Sequence, residues 1–113
     1  MIETIQTITD WHTNTFPDAT LQGQLEKFEE EKKEFAEEQN VYELADMFIV
    51  ACGVSRFNQT EAIKCFYYVF QQYKKFLALH ADVLQEALNK KMKENRSRVW
   101  KKTGEGAFHH IGE

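Results

Sequence analysis

A single proline and five glycines leave this 113-residue chain short of the turns that a sheet-rich fold needs. Glu, Lys, Gln, Leu and Ala fill long uninterrupted stretches instead, and these residue types favour helix. Cys52 and Cys65, the two cysteines, are too few for a disulfide framework. Both fall in apolar helical patterns, where a thiol behaves as a small hydrophobe, and a reducing compartment fits. Long hydrophobic runs are also missing. The longest, residues 47–54, is far below the roughly 20 apolar residues that span a bilayer, and residues 1–10 carry no basic start followed by an apolar block. A cytoplasmic protein with no membrane partner is expected. Cations are outnumbered, with 14 Lys and Arg against 18 Asp and Glu and a formal charge of -4. Gripping a nucleic acid polymer takes clustered cations over a whole surface, so this balance argues against a polymer substrate. The one basic stretch, residues 90–102, suits a site for a small anion.

What is present reads as one all-α domain over residues 1–113, a compact bundle of about five helices. The 42% hydrophobic content is enough for a single modest core. Ile2, Ile5, Ile8 and either Trp11 or His12 recur at helical spacing, and the pattern stops near Asn14. Leu21, Leu25, Phe28 and Phe35 form the apolar stripe of a second helix that runs to about Glu38. From Val41 to Val54 apolar residues occupy every side of the helical wheel beyond Asp46, which is the pattern of a helix buried all round. A fourth helix, capped by Asn58 or Thr60, runs through Cys65, Phe66, Val69, Phe70 and Tyr73 to about Leu79. His80 to Asp82 is a junction with Asp82 as N-cap, and a last helix covers Val83 to roughly Trp100. Residues 103–113, glycine-containing and polar, are expected to form a flexible tail.

Glu31 and Glu34 lie three apart, and Glu31 shares the Phe28 and Phe35 stripe, so at least one carboxylate points to the core edge. Glu43 and Asp46 repeat the spacing on the helix expected to be buried. A buried carboxylate without a partner costs several kcal/mol or takes up a proton, so carboxylates clustered there need cations. Two antiparallel helices joined by a short turn would bring the pairs face to face, offering the hard oxygen ligands that Mg²⁺ prefers. Glu26, Glu29, Glu30, Glu37 and Glu38 read instead as a solvated face. On the last helix, Leu84, Leu88, Lys91, Asn95 and Arg98 make one stripe that begins apolar and ends polar. Such a switch marks either a helix lining a pocket, with donors for phosphate or base, or contacts on a fraying end. Trp11, Phe16 and Trp100 read as core lids or as a stacking surface for a base. His12, His80, His109 and His110 lack metal-ligand spacing.

The run Glu31-Lys32-Lys33-Glu34, followed by Glu43-Leu44-Ala45-Asp46, resembles the ExxE and ExxD signature of MazG-like pyrophosphatases in the all-α nucleoside triphosphate pyrophosphatase superfamily. Residues 91–100, with Lys91, Asn95 and Arg98, resemble the pattern such enzymes carry on a late helix. The likeness covers about Trp11 to Trp100. It implies Mg²⁺-dependent hydrolysis of a nucleoside triphosphate, a dNTP or a non-canonical NTP, to the monophosphate and pyrophosphate. It further implies Glu31, Glu34, Glu43 and Asp46 as metal ligands and catalytic carboxylates, Lys91, Asn95 and Arg98 around the nucleotide, and a homodimer or homotetramer. Only eight residues separate Glu34 from Glu43, fewer than is usual between the two motifs. The helix junction must be tight, and Glu30 and Glu38 stand as alternative ligands. The rival function is a non-catalytic helical interaction module, in which the acidic run is solvated and residues 91–100 bind a partner.

Overall fold

Helix α3, Val41–Ser55, is the axis on which the other helices rest, because its residues Leu44, Ala45 and Met47 to Val54 are all buried. A computed structural model describes residues 2–77, 81–103 and 107–111. Among them are α1 (Ile5–Thr15), α2 (Leu21–Glu37), α3, α4 (Gln59–Gln72) and α5 (Ala81–Ser97). A π-helical turn, Tyr73–Leu77, directly follows α4. Helices α1, α2, α4 and α5 all pack against α3. Burial on every side explains why α3 lacks the one-sided apolar stripe seen on α2, where Phe28, Glu31 and Phe35 face inward. The exposed residues of α2 include Glu26, Glu29, Glu30 and Glu37, the solvated face expected of that acidic run.

Local chemistry sets the ends of the helices. Thr4 caps α1 in a reciprocal pair with Thr7, each hydroxyl accepting from the other's backbone N–H. The helix therefore starts at Ile5, not Ile2, and both isoleucines are largely exposed while Ile8, Trp11 and His12 face the core. Thr20 caps α2 through Gly23 N–H. Between α2 and α3 the turn is as short as the motif spacing demands, and Asn40 Oδ1 accepts from the N–H groups of Tyr42 and Glu43 at 2.9 and 3.1 Å. Asn58, one of the two residues considered for the next cap, accepts from Glu61 N–H. Asp82 is not the cap of α5 but lies in its first turn, since the helix begins at Ala81. The rest of the expected junction at His80 is outside the described residues.

The C-terminal part departs from expectation. Helix α5 ends at Ser97, and Trp100 belongs to a strand. Strand β1 (Val99–Thr103) pairs antiparallel with β2 (Ala107–Ile111), Val99 opposite Ile111 and Thr103 opposite Ala107. A hairpin thus occupies most of the segment expected to be a tail. Two short segments with the β-formers Val99, Trp100, Phe108 and Ile111 flank Gly104 and Gly106, which is a weak hairpin signal, and the four-three-four-three stripe of α5 carries a helical periodicity up to the first strand. Strand β2 runs beside α2.

Asn40→Ala should cost about 1 kcal/mol in chemical denaturation by leaving the first N–H groups of α3 without their cap. Replacement of the neighbouring exposed Gln39 by Ala should leave stability within about 0.5 kcal/mol.

Candidate metal centre

The turn at residues 38–40 sets the C-terminal half of α2 against the first turns of α3, and there the acidic residues meet. Oxygens of Glu31, Glu43 and Asp46 all lie within 4.8 Å of one another. Glu31 is 6% exposed despite its charge. Its Oε2 and the Oε2 of Glu43 are buried and have no hydrogen-bond partner. Such orphaned acceptors are costly, because desolvation is not repaid by any donor. Burial, with the Asp46 charge next in weight, pushes the Glu31 carboxyl up to about 8. Burial likewise raises Glu43, again with Asp46 adding to it. Asp46 is raised by burial against the opposing pull of Lys91.

The nearby cations are fewer than the carboxylates. Lys91 Nζ on α5 lies 3.3 Å from Asp46 Oδ2, and Lys27 Nζ on α2 lies 3.7 Å from Glu31 Oε1. The cavity that they line holds four carboxylates, Glu31, Glu34, Glu43 and Asp46, against Lys27, Lys91 and Arg98, and with two buried oxygens lacking any donor this set fits a hard divalent cation taking oxygen ligands. Mg²⁺ suits it on the same grounds, since it retains waters and needs only a few protein oxygens.

The triad lines a cavity of about 470 Å³, and all seven residues singled out as ligands or nucleotide-binding groups in the sequence line it: Glu31, Glu34, Glu43, Asp46, Lys91, Asn95 and Arg98. Glu34 lines it from an exposed position and stands outside the close group of three. Glu30 and Glu38, the alternative ligands, are exposed and do not line the cavity. Asn95 is buried, and its Oδ1 accepts from Arg98 Nη1 at 3.1 Å, while Arg98 Nη2 lies 3.8 Å from Glu94. The apolar-to-polar switch on α5 therefore occurs where the helix reaches the cavity wall.

Three aromatic residues line the cavity as well. Trp11, Phe16 and Trp100 meet edge to face with ring centroids 5.1 to 6.0 Å apart, and Trp100 Nε1–H donates to the Asn95 carbonyl at 3.2 Å. These rings are core lids and cavity walls at once. His12, one of the two residues considered for the inward stripe of α1, also lines the cavity, as do Gln24 and Lys27, which the sequence did not single out. Gln24 carries a legible signal, because it continues the buried stripe Phe28, Glu31, Phe35 one turn earlier on α2. The side chains of His80, His109 and His110 lie outside the described residues.

No protein family, no curated protein and no solved structure matches this chain.

The raised carboxyl has a stability consequence with a definite sign. Glu31 binds its proton more tightly folded than unfolded, so its contribution is fully present below pH 4.5 and is lost as the pH rises through about 8. Glu31→Gln has no charge to bury, so above pH 8 the metal-free variant should melt higher than the metal-free wild type. The same variant should lose most of the gain that saturating Mg²⁺ gives the wild type, about 2.7 kcal/mol at a hundredfold excess over Kd. A variant that melts lower at that pH, and still gains from Mg²⁺, contradicts this account of the cluster.

Proposed function

We propose that this chain is a Mg²⁺-dependent nucleoside triphosphate pyrophosphohydrolase of the MazG-like kind. The reading rests on one observation: a single cavity is lined by the carboxylate triad, by the rings of Trp11, Phe16 and Trp100, and by Lys91, Asn95 and Arg98. That lining suits a nucleoside triphosphate, with its phosphates on the acidic and cationic groups and its base on the rings. A dNTP or a non-canonical NTP is the proposed substrate.

Glu31, Glu43 and Asp46 would hold Mg²⁺. A bound Mg²⁺ supplies neutralisation of phosphate charge and polarisation of the phosphoryl oxygens. The chemistry asked of the chain is then positioning and proton transfer. A water attacks the α-phosphorus while the bond from that phosphorus to the bridging oxygen of the β-phosphate breaks, giving the monophosphate and pyrophosphate. Glu34 lines the cavity without joining the triad, which supports giving its carboxylate the role of taking the proton from the attacking water. Lys91 Nζ, which holds Asp46 at 3.3 Å, has donors left for a phosphate oxygen. The Arg98 guanidinium offers planar donors to the departing pyrophosphate.

Ile63, Tyr67 and Phe70 are exposed at helical spacing on one face of α4 and support association of the chain with itself as a dimer or tetramer. The same face is what favours the second reading, a non-catalytic interaction module. That reading leaves the buried, unpaired carboxylate oxygens without a purpose.

Incubation with a panel of canonical and modified NTPs and dNTPs and Mg²⁺ should release pyrophosphate and monophosphate in equal amounts for at least one nucleotide. Glu43→Gln and Asp46→Asn should each lower kcat by about a hundredfold or more, the scale on which loss of a charge-stabilising group acts. Well-folded protein that turns over none of the panel transfers the weight to the interaction module.

A further inference from the structure

Lys91 on α5 and Asp46 on α3 pair across the two helices, with Nζ 3.3 Å from Oδ2 and both side chains mostly out of water. Leu88 and Met92, on either side of Lys91 along α5, are buried in the core. The Lys90 ammonium sits 4.9 Å from the centre of the Tyr42 ring on α3. The backbone at Lys91 is therefore held against α3, and what can move is its flexible unbranched stem.

This pairing competes with the role of Asp46 as a metal ligand. A dication on the same carboxylate would stand beside the ammonium, and at the effective dielectric of a protein that repulsion far exceeds thermal energy. One cation has to leave. Lys27, the other lysine of the cluster, has a second partner, since it lies 3.7 Å from Glu31 but also 3.5 Å from Glu30, whose side chain is half in solvent. Lys91 has Asp46 as its ion-pair partner among the described residues. Glu94, three residues on, already lies 3.8 Å from Arg98, and Glu43, on whose carboxyl the Lys91 charge also acts, belongs to the triad itself. An ammonium displaced from Asp46 needs a new anion, and it lines the same cavity as Asn95, one turn further along α5.

We infer that Lys91 is the resident counter-ion of Asp46: a divalent cation displaces it, and a phosphate oxygen of the incoming nucleotide takes it up. Metal and phosphate then bind with positive coupling. The metal alone strands the ammonium beside a dication, and phosphate alone meets carboxylates with no metal between. Together each removes the other's penalty, by the same factor in both directions. The site is thereby kept from binding free Mg²⁺ tightly when no nucleotide is present. The inference rests on the Mg²⁺ and nucleotide reading given above.

Calorimetric titration with Mg²⁺, without and with excess inorganic phosphate as the probe anion, tests the exchange in the wild type, Lys91→Met and Lys91→Arg. Phosphate should tighten Mg²⁺ binding by the wild type about tenfold, the scale of one hydrogen bond to a charged group. Lys91→Met should bind Mg²⁺ alone about tenfold more tightly than the wild type, because no ammonium has to be displaced, and should show almost no phosphate effect. Lys91→Arg keeps the cation and should stay near the wild type. A lysine that merely supported the fold would weaken Mg²⁺ binding when lost, so the direction of the change separates the two roles. Thermal unfolding gives a second readout. Lys91→Met should melt lower than the wild type without metal, because Asp46 loses its partner, and saturating Mg²⁺ should close most of that gap. No Mg²⁺ binding by either the wild type or Lys91→Met overturns the metal site and this inference with it. Unchanged or weaker Mg²⁺ binding by Lys91→Met overturns the exchange alone. So does a phosphate effect that survives in Lys91→Met, or one absent from the wild type because the ammonium moves to Glu34 instead.

Discussion

Like charges brought together out of water are the constraint on which this structure turns. Glu31, Glu43 and Asp46 share a space under 5 Å across at the edge of the apolar core, and two of their oxygens have no donor. Each carboxyl responds by holding its proton more tightly than it would in water. A core edge that served stability alone would not collect acids in this way, because apolar or amide side chains would pack there without the desolvation cost. The fold carries the cost because α3 is buried by four neighbours and has charged residues only in its first turns, which the short turn from α2 sets against Glu31.

The rest of the cavity is arranged around that cluster. Lys91 pairs with Asp46 and Lys27 with Glu31, which offsets part of the charge and leaves the pocket short of cations. Helix α5 turns from apolar to polar where it reaches the pocket, so Leu84 and Leu88 pack in the core while Lys91, Asn95 and Arg98 face the opening. Helix α1 contributes Trp11 and His12, and β1 contributes Trp100, which meets Phe16 edge to face. One pocket thus joins groups from residues far apart in the chain, and the central position of α3 is what allows it.

Much of this was legible in the sequence, and the reasons differ by element. The wheel of α3, apolar on every side beyond Asp46, announced a central helix, and the ExxE and ExxD spacings placed four acids on two facing helices. The α5 stripe singled out Lys91, Asn95 and Arg98, but a change from Leu to polar residues along one helix face fits a pocket wall and a fraying end alike, and only the folded chain puts all three on the cavity. The hairpin was hidden, since two five-residue strands compete poorly with a long helical periodicity that runs straight into them. The place of His12 in the cavity was hidden for another reason. Its ring is bonded to Gln24 and to Arg56, and Arg56, 44 residues away in sequence, meets it only once the chain is folded. The start of α1 was misplaced because Ile2 and Ile5 fit the helical spacing of Ile8, whereas the Thr4 and Thr7 cap decides the boundary.

The central claim is that the carboxylate triad is a divalent metal site. Anomalous diffraction from crystals grown with Mn²⁺ in place of Mg²⁺ tests it most directly, because the ion reports its own position. The account predicts a strong anomalous peak between Glu31, Glu43 and Asp46, absent from crystals of Asp46→Asn. A peak elsewhere, or none in crystals grown with millimolar Mn²⁺, would contradict it.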